Sequence, residues 1–440
     1  MVRRGSLPGW RGVLAAACVV WSASACARTP KLSPQAQAFL AAASAFSPLP
    51  PPAPDPSNAF ADSEAAARLG RALFFDPGLS GDGRFSCATC HDPGHGFSDP
   101  RPLADGAGPG TRHAPTLIDA AAHHWFGWGG KADSQWSQAL GPLEARAEMA
   151  GDRVAIVRHI AGDPALRSAF EDMFGVLPDT ETWPTHARPL VAAELQEHTV
   201  PAAWTDAWDA MDPKARAAAD RMFAAVGKAL AAYQRRLRSG PAPFDNHVAA
   251  LRAGHDPGDR FLSPAARAGF DLFRGKAGCV VCHTGPHFSD GEFHNTGAPP
   301  ADGSEPTDPG RFQGGRLVQL DPFHSGGEHS DEPEGARAER TRRLKTGSEQ
   351  WGEFKTPSLR NLVVRGPYMH TGVFPDLPAV IAFYDTRLGA VGASHHQEQI
   401  LRPLGLTDQE RAELLAFLES LQGAPPPAEW TRPPDPESSR

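Results

Sequence analysis

Two five-residue stretches constrain this chain more than anything else in it: Cys87-Ala88-Thr89-Cys90-His91 and Cys279-Val280-Val281-Cys282-His283. The 440 residues contain only six cysteines, and four of them stand in these two copies. In a C-x-x-C-H turn both thiols reach one side of a helical turn, and the next residue projects its imidazole beside them. Two thiols so placed can form thioethers to the vinyl groups of a haem, while the histidine binds the iron. The spacing therefore predicts two covalently bound haem c groups, held by Cys87, Cys90, Cys279 and Cys282, with His91 and His283 as iron ligands. The competing assignment is a four-thiolate zinc site, which would not need a histidine after each pair.

The N-terminus decides which compartment these cysteines meet. MVRRGSLPGWR is basic, GVLAAACVVW is apolar but too short to span a bilayer, and small residues precede Cys26. Residues 1–25 thus read as an export signal, and the expected location is the periplasm. Ala23, Ser24 and Ala25 suit a lipid anchor on Cys26 facing the periplasm, with plain cleavage after Ala25 as the alternative. The formal charge of −8 includes Arg3, Arg4 and Arg11 of that leader, so the exported chain is more acidic still. That argues against nucleic acid and allows a basic protein partner.

An internal echo sets the organisation. Residues 64–76 (EAAARLGRALFFD) and 264–274 (PAARAGFDLFR) are both amphipathic, each leads into its C-x-x-C-H, and DPGHGFSD or TGPHFSD follows. Such duplication predicts a mostly α-helical protein of two cytochrome c-like haem domains joined by long irregular loops, consistent with 44 prolines and 44 glycines. The expected divisions are a Pro-rich tether over 26–57, an N-terminal domain over 58–245, a C-terminal domain over 246–424 and a disordered tail over 425–440. Residues 186–199, 214–238 and 244–252 read as helices, and 299–350 as a long loop with solvated charges.

From Ser63 to Leu421 the chain resembles the bacterial diheme cytochrome c peroxidases and their MauG-type relatives. LFFDPGLSGDGRFSCATCHDP, RHAPTLID, FGWGGKADSQWSQALGP, GCVVCHTGPHFSDGEFHNTG and TPSLRNLVVRGPYMHTGVF carry the likeness, in order. The resemblance implies that hydrogen peroxide binds the first haem beside Gln138 and Glu148, the latter ten residues on. A carboxylate can shuttle the proton between peroxide oxygens while an amide polarises the leaving one. Outside this context Glu148 would read as a surface residue. Trp128 matches the tryptophan between the haems, although with ten tryptophans in the chain a core role is its alternative.

Departures from the family pattern carry equal weight. The peroxidases place a methionine as the second haem's sixth ligand; here that position, seventeen residues beyond Pro367, is Tyr384, as in the MauG-type enzymes. A phenolate stabilises oxidised iron and lowers its potential. The alternatives are a tyrosine merely packed on its helix, with His395 or His396 as rival ligands; the only methionine after His283 is Met369. In the loop 92–112, where activatable peroxidases keep a displaceable histidine, only His95 occurs, which implies a first haem open to peroxide. The family also binds calcium between its domains, here through the carbonyls of Arg365 and Pro367. His113 replaces the usual asparagine, and imidazole is a poor calcium ligand, so the residues leave that ion open. His370 matches a family residue near the second haem.

The function expected is a periplasmic diheme peroxidase fed by a small electron donor, a cytochrome c or cupredoxin. MauG-like oxidation of side chains on a partner protein is one alternative. A non-catalytic electron-transfer cytochrome is the other, and Glu148 with Gln138 argues against it.

Overall fold

A computed structural model describes residues 32–191, 194, 200–304, 306–391 and 398–435. Helices dominate it, and the only sheet among the described residues is a pair of two-residue antiparallel strands, Phe293–His294 against Phe354–Lys355. Two apolar cores divide the chain. The first gathers Leu73, Phe74, Trp136, Phe223 and Tyr233; the second gathers Phe244, Phe270, Phe273, Phe288 and Phe417.

Each core is organised by the same helix crossing. Ser63 caps Glu64–Phe75 and Ser263 caps Pro264–Arg274, each side chain accepting a backbone N–H three residues on. Both helices pack against a longer-range partner, Pro213–Gln234 in the first core and Asp408–Glu419 in the second. The crossings are close because glycine sits at the contact. A Cβ on Gly70 would overlap the carbonyl oxygen of Ala229, and one on Gly269 would overlap that of Glu413. The echo in the sequence is therefore a repeat of packing geometry as well as of motif.

Four expectations need correction. Residues 186–191 form no helix: Pro189 lacks the N–H a helix interior uses, and Arg188 is fully buried in an ion pair with Glu194 at 2.6 Å. The rest of that predicted helix, apart from Glu194, lies outside the described residues until Val200. The tether contains a helix, Pro34–Ala43, whose Ala43 joins Phe46 in the second core. Residues 299–350 hold two helices, Arg311–Leu320 and Ala336–Arg342, and their charges are partnered. Asp308 grips Arg112 at 2.6 Å, Asp331 pairs with Lys228 at 2.8 Å, and Phe323 enters the first core. Finally, the tail is packed as far as it is described: Trp430 is buried and its carbonyl accepts from Tyr233 Oη at 2.7 Å.

The crossings give a direct test. Gly70→Ala gains about 1 kcal/mol of helix propensity but forces a methyl into the Ala229 carbonyl, an overpacking cost of about 1–3 kcal/mol. We expect a net loss of stability in denaturant unfolding of the haem-loaded protein. Gly162→Ala, with open space around its Cβ position, should be neutral or stabilising.

Candidate haem sites and the cavity at the second motif

The first motif forms a single helical turn, Cys87–Cys90, with His91 at its C-terminal end. His91 Nδ1 lies 3.1 Å from the carbonyl oxygen of Phe97; a carbonyl only accepts, so Nδ1 carries the proton and Nε2 keeps its lone pair. The second motif repeats the device, with His283 Nδ1 donating to Phe288 O at 2.9 Å. Both phenylalanines hold a positive φ, 55° and 50°, and both are essentially fully buried. Bulky residues adopt that conformation at a cost of about 1–3 kcal/mol. Packing of the two rings holds each carbonyl at its histidine.

Electrostatics favour a neutral ligand set. Burial pulls both His91 and His283 below the usual imidazole range, and it pushes Cys87 and Cys279 up to about 12. A neutral imidazole with its Nε2 lone pair free suits an iron ligand. The two cysteine pairs do not converge. Among the described residues the one group of potential metal donors is Cys282, Asp290 and His294. His294 is already bonded to carboxylates through both nitrogens, Asp290 at 2.9 Å and Glu398 at 2.7 Å, and this pushes it up to about 11. Both of its ring nitrogens are therefore already engaged.

Around the first motif, the helix Gln135–Glu144 and the turn after it carry Gln138 and Glu148. Gln138 is half-buried, and its amide has no partner among the described residues. The charge of Glu148 acts on Cys87, Cys90 and His91, so the carboxylate is electrostatically coupled to all three. Its backbone is clamped by the loop after the motif: Ala107 N donates to Glu148 O at 2.8 Å. Lys131 Nζ stands 4.0 Å from Glu148 Oε1. The sequence reading did not single out Lys131, although it lies inside FGWGGKADSQ three residues after Trp128.

The histidines near that loop are tied down. His95 Nε2 is bonded to the carbonyl of Gly366, in the GPY turn of the other half of the chain. His113 uses both ring nitrogens, on Arg101 O and Ser98 Oγ, each at 3.1 Å. With both ring nitrogens engaged, His113 offers no free lone pair to a cation at the carbonyls of Arg365 and Pro367.

A cavity of about 330 Å³ opens beside the second motif, with Cys279, Cys282 and His283 in its wall. Mostly apolar side chains complete it, which fits a haem ring better than a polar substrate. Tyr384, on the helix Leu377–Thr386, lines this cavity. Burial pushes its phenol up to about 12, so the phenolate would need a metal ion to be stable there. Met369 lines the same cavity, so a thioether and a phenol share its wall. His395 and His396 lie outside the described residues.

Trp128 and His370 also face this cavity, their rings 6.3 Å apart. The indole N–H of Trp128 donates to His113 O at 2.8 Å, and Trp128 O accepts from Lys355 N at 2.8 Å. Trp128 thus joins the segment that packs against the first motif's loop to the wall of the second cavity. His370 stacks on Phe354 at 3.5 Å, and burial lowers it to about 4, so it is a neutral wall residue.

Compared with known proteins, residues 64–252 match the di-haem cytochrome c peroxidase family. A cytochrome-c peroxidase of Denitromonas iodatirespirans, IdrP1, is 32% identical over 429 residues, covering 96% of this chain and 95% of that one. The methylamine utilization protein MauG of Methylorubrum extorquens is 32% identical over 359 residues, 81% of this chain and 78% of its own. Among solved structures, a MauG-like protein associated with microbial copper homeostasis aligns with a TM-score of 0.58 at 26% identity, over 88% of this chain and 95% of that one. The chain belongs to the di-haem cytochrome c peroxidase and MauG family, and is an oxidoreductase of that peroxide-using class, with two haems.

The sixth ligand of the second haem is open to a simple comparison. With Tyr384 as the ligand, Tyr384→Phe should leave that iron high-spin or water-bound, while Met369→Leu should leave its spectrum unchanged. The reverse pattern would assign the iron to Met369.

Proposed function

We propose that the protein is a periplasmic peroxidase that reduces hydrogen peroxide at its first haem. Electrons would arrive from a small donor protein, a cytochrome c or cupredoxin, by way of the second haem. The observation that carries this reading is the coupling of the Glu148 charge to Cys87, Cys90 and His91 together. An electron carrier has no use for a carboxylate at that point; a peroxidase needs one.

The haems, attached through the two cysteine pairs, supply the redox chemistry when bound. The chain's own residues do the rest. Glu148 would take the proton from the near peroxide oxygen and deliver it to the far one as the O–O bond breaks, so that the far oxygen leaves as water, with the two electrons supplied by the haems. The free amide of Gln138 donates a hydrogen bond to the oxygen that gains charge. Lys131 places its ammonium 4.0 Å from the Glu148 carboxylate. Trp128 provides the aromatic link toward the second cavity. With His95 and His113 engaged elsewhere, no histidine of the first loop is free to close the distal side.

A second reading is favoured by Tyr384. A phenolate on the second haem would lower its potential and make the pair a store of oxidising equivalents, suited to oxidising side chains on a partner protein. Both readings share the peroxide step.

No helix among the described residues is long and apolar enough to cross a membrane. Lipid attachment at Cys26, which lies outside the described residues, would tether the enzyme at the periplasmic face.

Glu148→Gln should lower the rate constant for the reaction with peroxide by about 10²–10⁴-fold, with the resting haem spectra nearly intact. Stopped-flow mixing of the oxidised protein with peroxide measures this. An unchanged rate constant would remove Glu148 from the chemistry and restore the electron-carrier reading.

A further inference from the structure

The cavity beside His283 has an imbalance of charge. Lys355 and Arg365 both line it, and neither has an acidic partner. The Lys355 ammonium makes no hydrogen bond or ion pair with any described residue, although its strand is held firmly through the backbone. Arg365 donates one guanidinium nitrogen to the carbonyl of Ser358, and its buried Nε has no partner at all. The neighbouring His123 and His287 cannot supply a negative charge, and burial keeps both below the usual imidazole range.

The nearby acids are already committed. Asp119, whose field reaches Arg365, is bonded to Ser239 Oγ at 2.6 Å. Asp308, close to His370, is held by both arms of Arg112. Glu398, in the cavity wall, is bonded to His294. Burial of uncompensated cations is costly, and lowers Lys355 to about 7 in the protein alone. The counter-charge therefore comes from outside the polypeptide.

We propose that Lys355 and Arg365 are the seat of the two carboxylate side chains of the second haem. The cavity is polarised in the way such a group requires. Cys282 sits beside His294 and its two carboxylates, whereas neither Lys355 nor Arg365 is bonded to a carboxylate, and the charge of Arg365 acts on Lys355. A haem's vinyl and carboxylate edges lie on opposite sides of its ring, so the cysteines take one edge and the cations the other. The backbone N–H of Lys355 also donates to Trp128 O, which ties this seat to the aromatic residue between the two halves. A cation held at the haem's carboxylates disfavours the positive charge of oxidised iron. Lys355 therefore raises the potential of the haem that receives electrons.

This inference rests on the presence of two haems, so haem content is measured first on every preparation. Spectroelectrochemical titration of the two-haem protein then gives the midpoint potential of each haem. Lys355→Met and Lys355→Gln, either of which suffices, should lower the second haem's midpoint and leave the first haem's in place. Lys355→Arg, which keeps the charge, should stay near the parent value. An unshifted midpoint in a neutral variant that still carries two haems would overturn the proposal, as would an equal shift in Lys355→Arg. A parent midpoint that moves with phosphate concentration at constant ionic strength would overturn it too, by assigning the cations to a free anion. Parent protein with fewer than two haems would instead defeat the two-haem reading itself.

Discussion

One hydrogen bond, made twice, organises this protein: an imidazole N–H donating to the carbonyl of a buried phenylalanine with positive φ. At His91 the acceptor is Phe97, and at His283 it is Phe288. The bond fixes the tautomer and therefore which nitrogen faces the haem pocket. It also explains why two bulky residues tolerate a conformation that ordinarily belongs to glycine. Phe97 makes an aromatic contact with Phe74, and Phe288 with Phe46, Phe244, Phe273 and Phe417, so each apolar core also aims the histidine of its motif. Fold and cofactor site share the same residues.

Around that repeated frame the two halves have diverged. The first motif faces a carboxylate backed by a lysine; the second faces a cavity with a phenol, a thioether and two cations. Such a division suits one haem to meet peroxide and the other to hold or pass charge. The halves are sewn together by contacts between loops: His95 on Gly366, Trp128 on His113 and Lys355, Arg112 on Asp308. His95, Arg112 and His113 follow the first motif in the chain, and Lys355 lies in the wall of the second cavity.

Local features of this architecture were legible in the sequence. The two motifs, the helices that precede them and the family likeness rest on short spacings, which survive without knowledge of distant contacts. What was hidden depends on long-range partners. Residues 299–350 looked like solvated charge because Asp308, Asp331 and Phe323 find their partners in the other half of the chain. The tail looked disordered because Trp430 packs against Tyr233, almost two hundred residues away. Lys131 and Lys355 were passed over for related reasons. The first matters because of where Glu148 folds, the second because no acid folds beside it.

The central claim is that two matched frames each hold one covalent haem. Its most direct test is the pyridine haemochrome content of the purified protein after acid-acetone extraction, combined with mass spectrometry of its proteolytic peptides. The account predicts two haems per chain that resist extraction, one on the peptide with Cys87 and Cys90 and one on the peptide with Cys279 and Cys282. A chain with one haem or none, or haem released by the extraction, would contradict it.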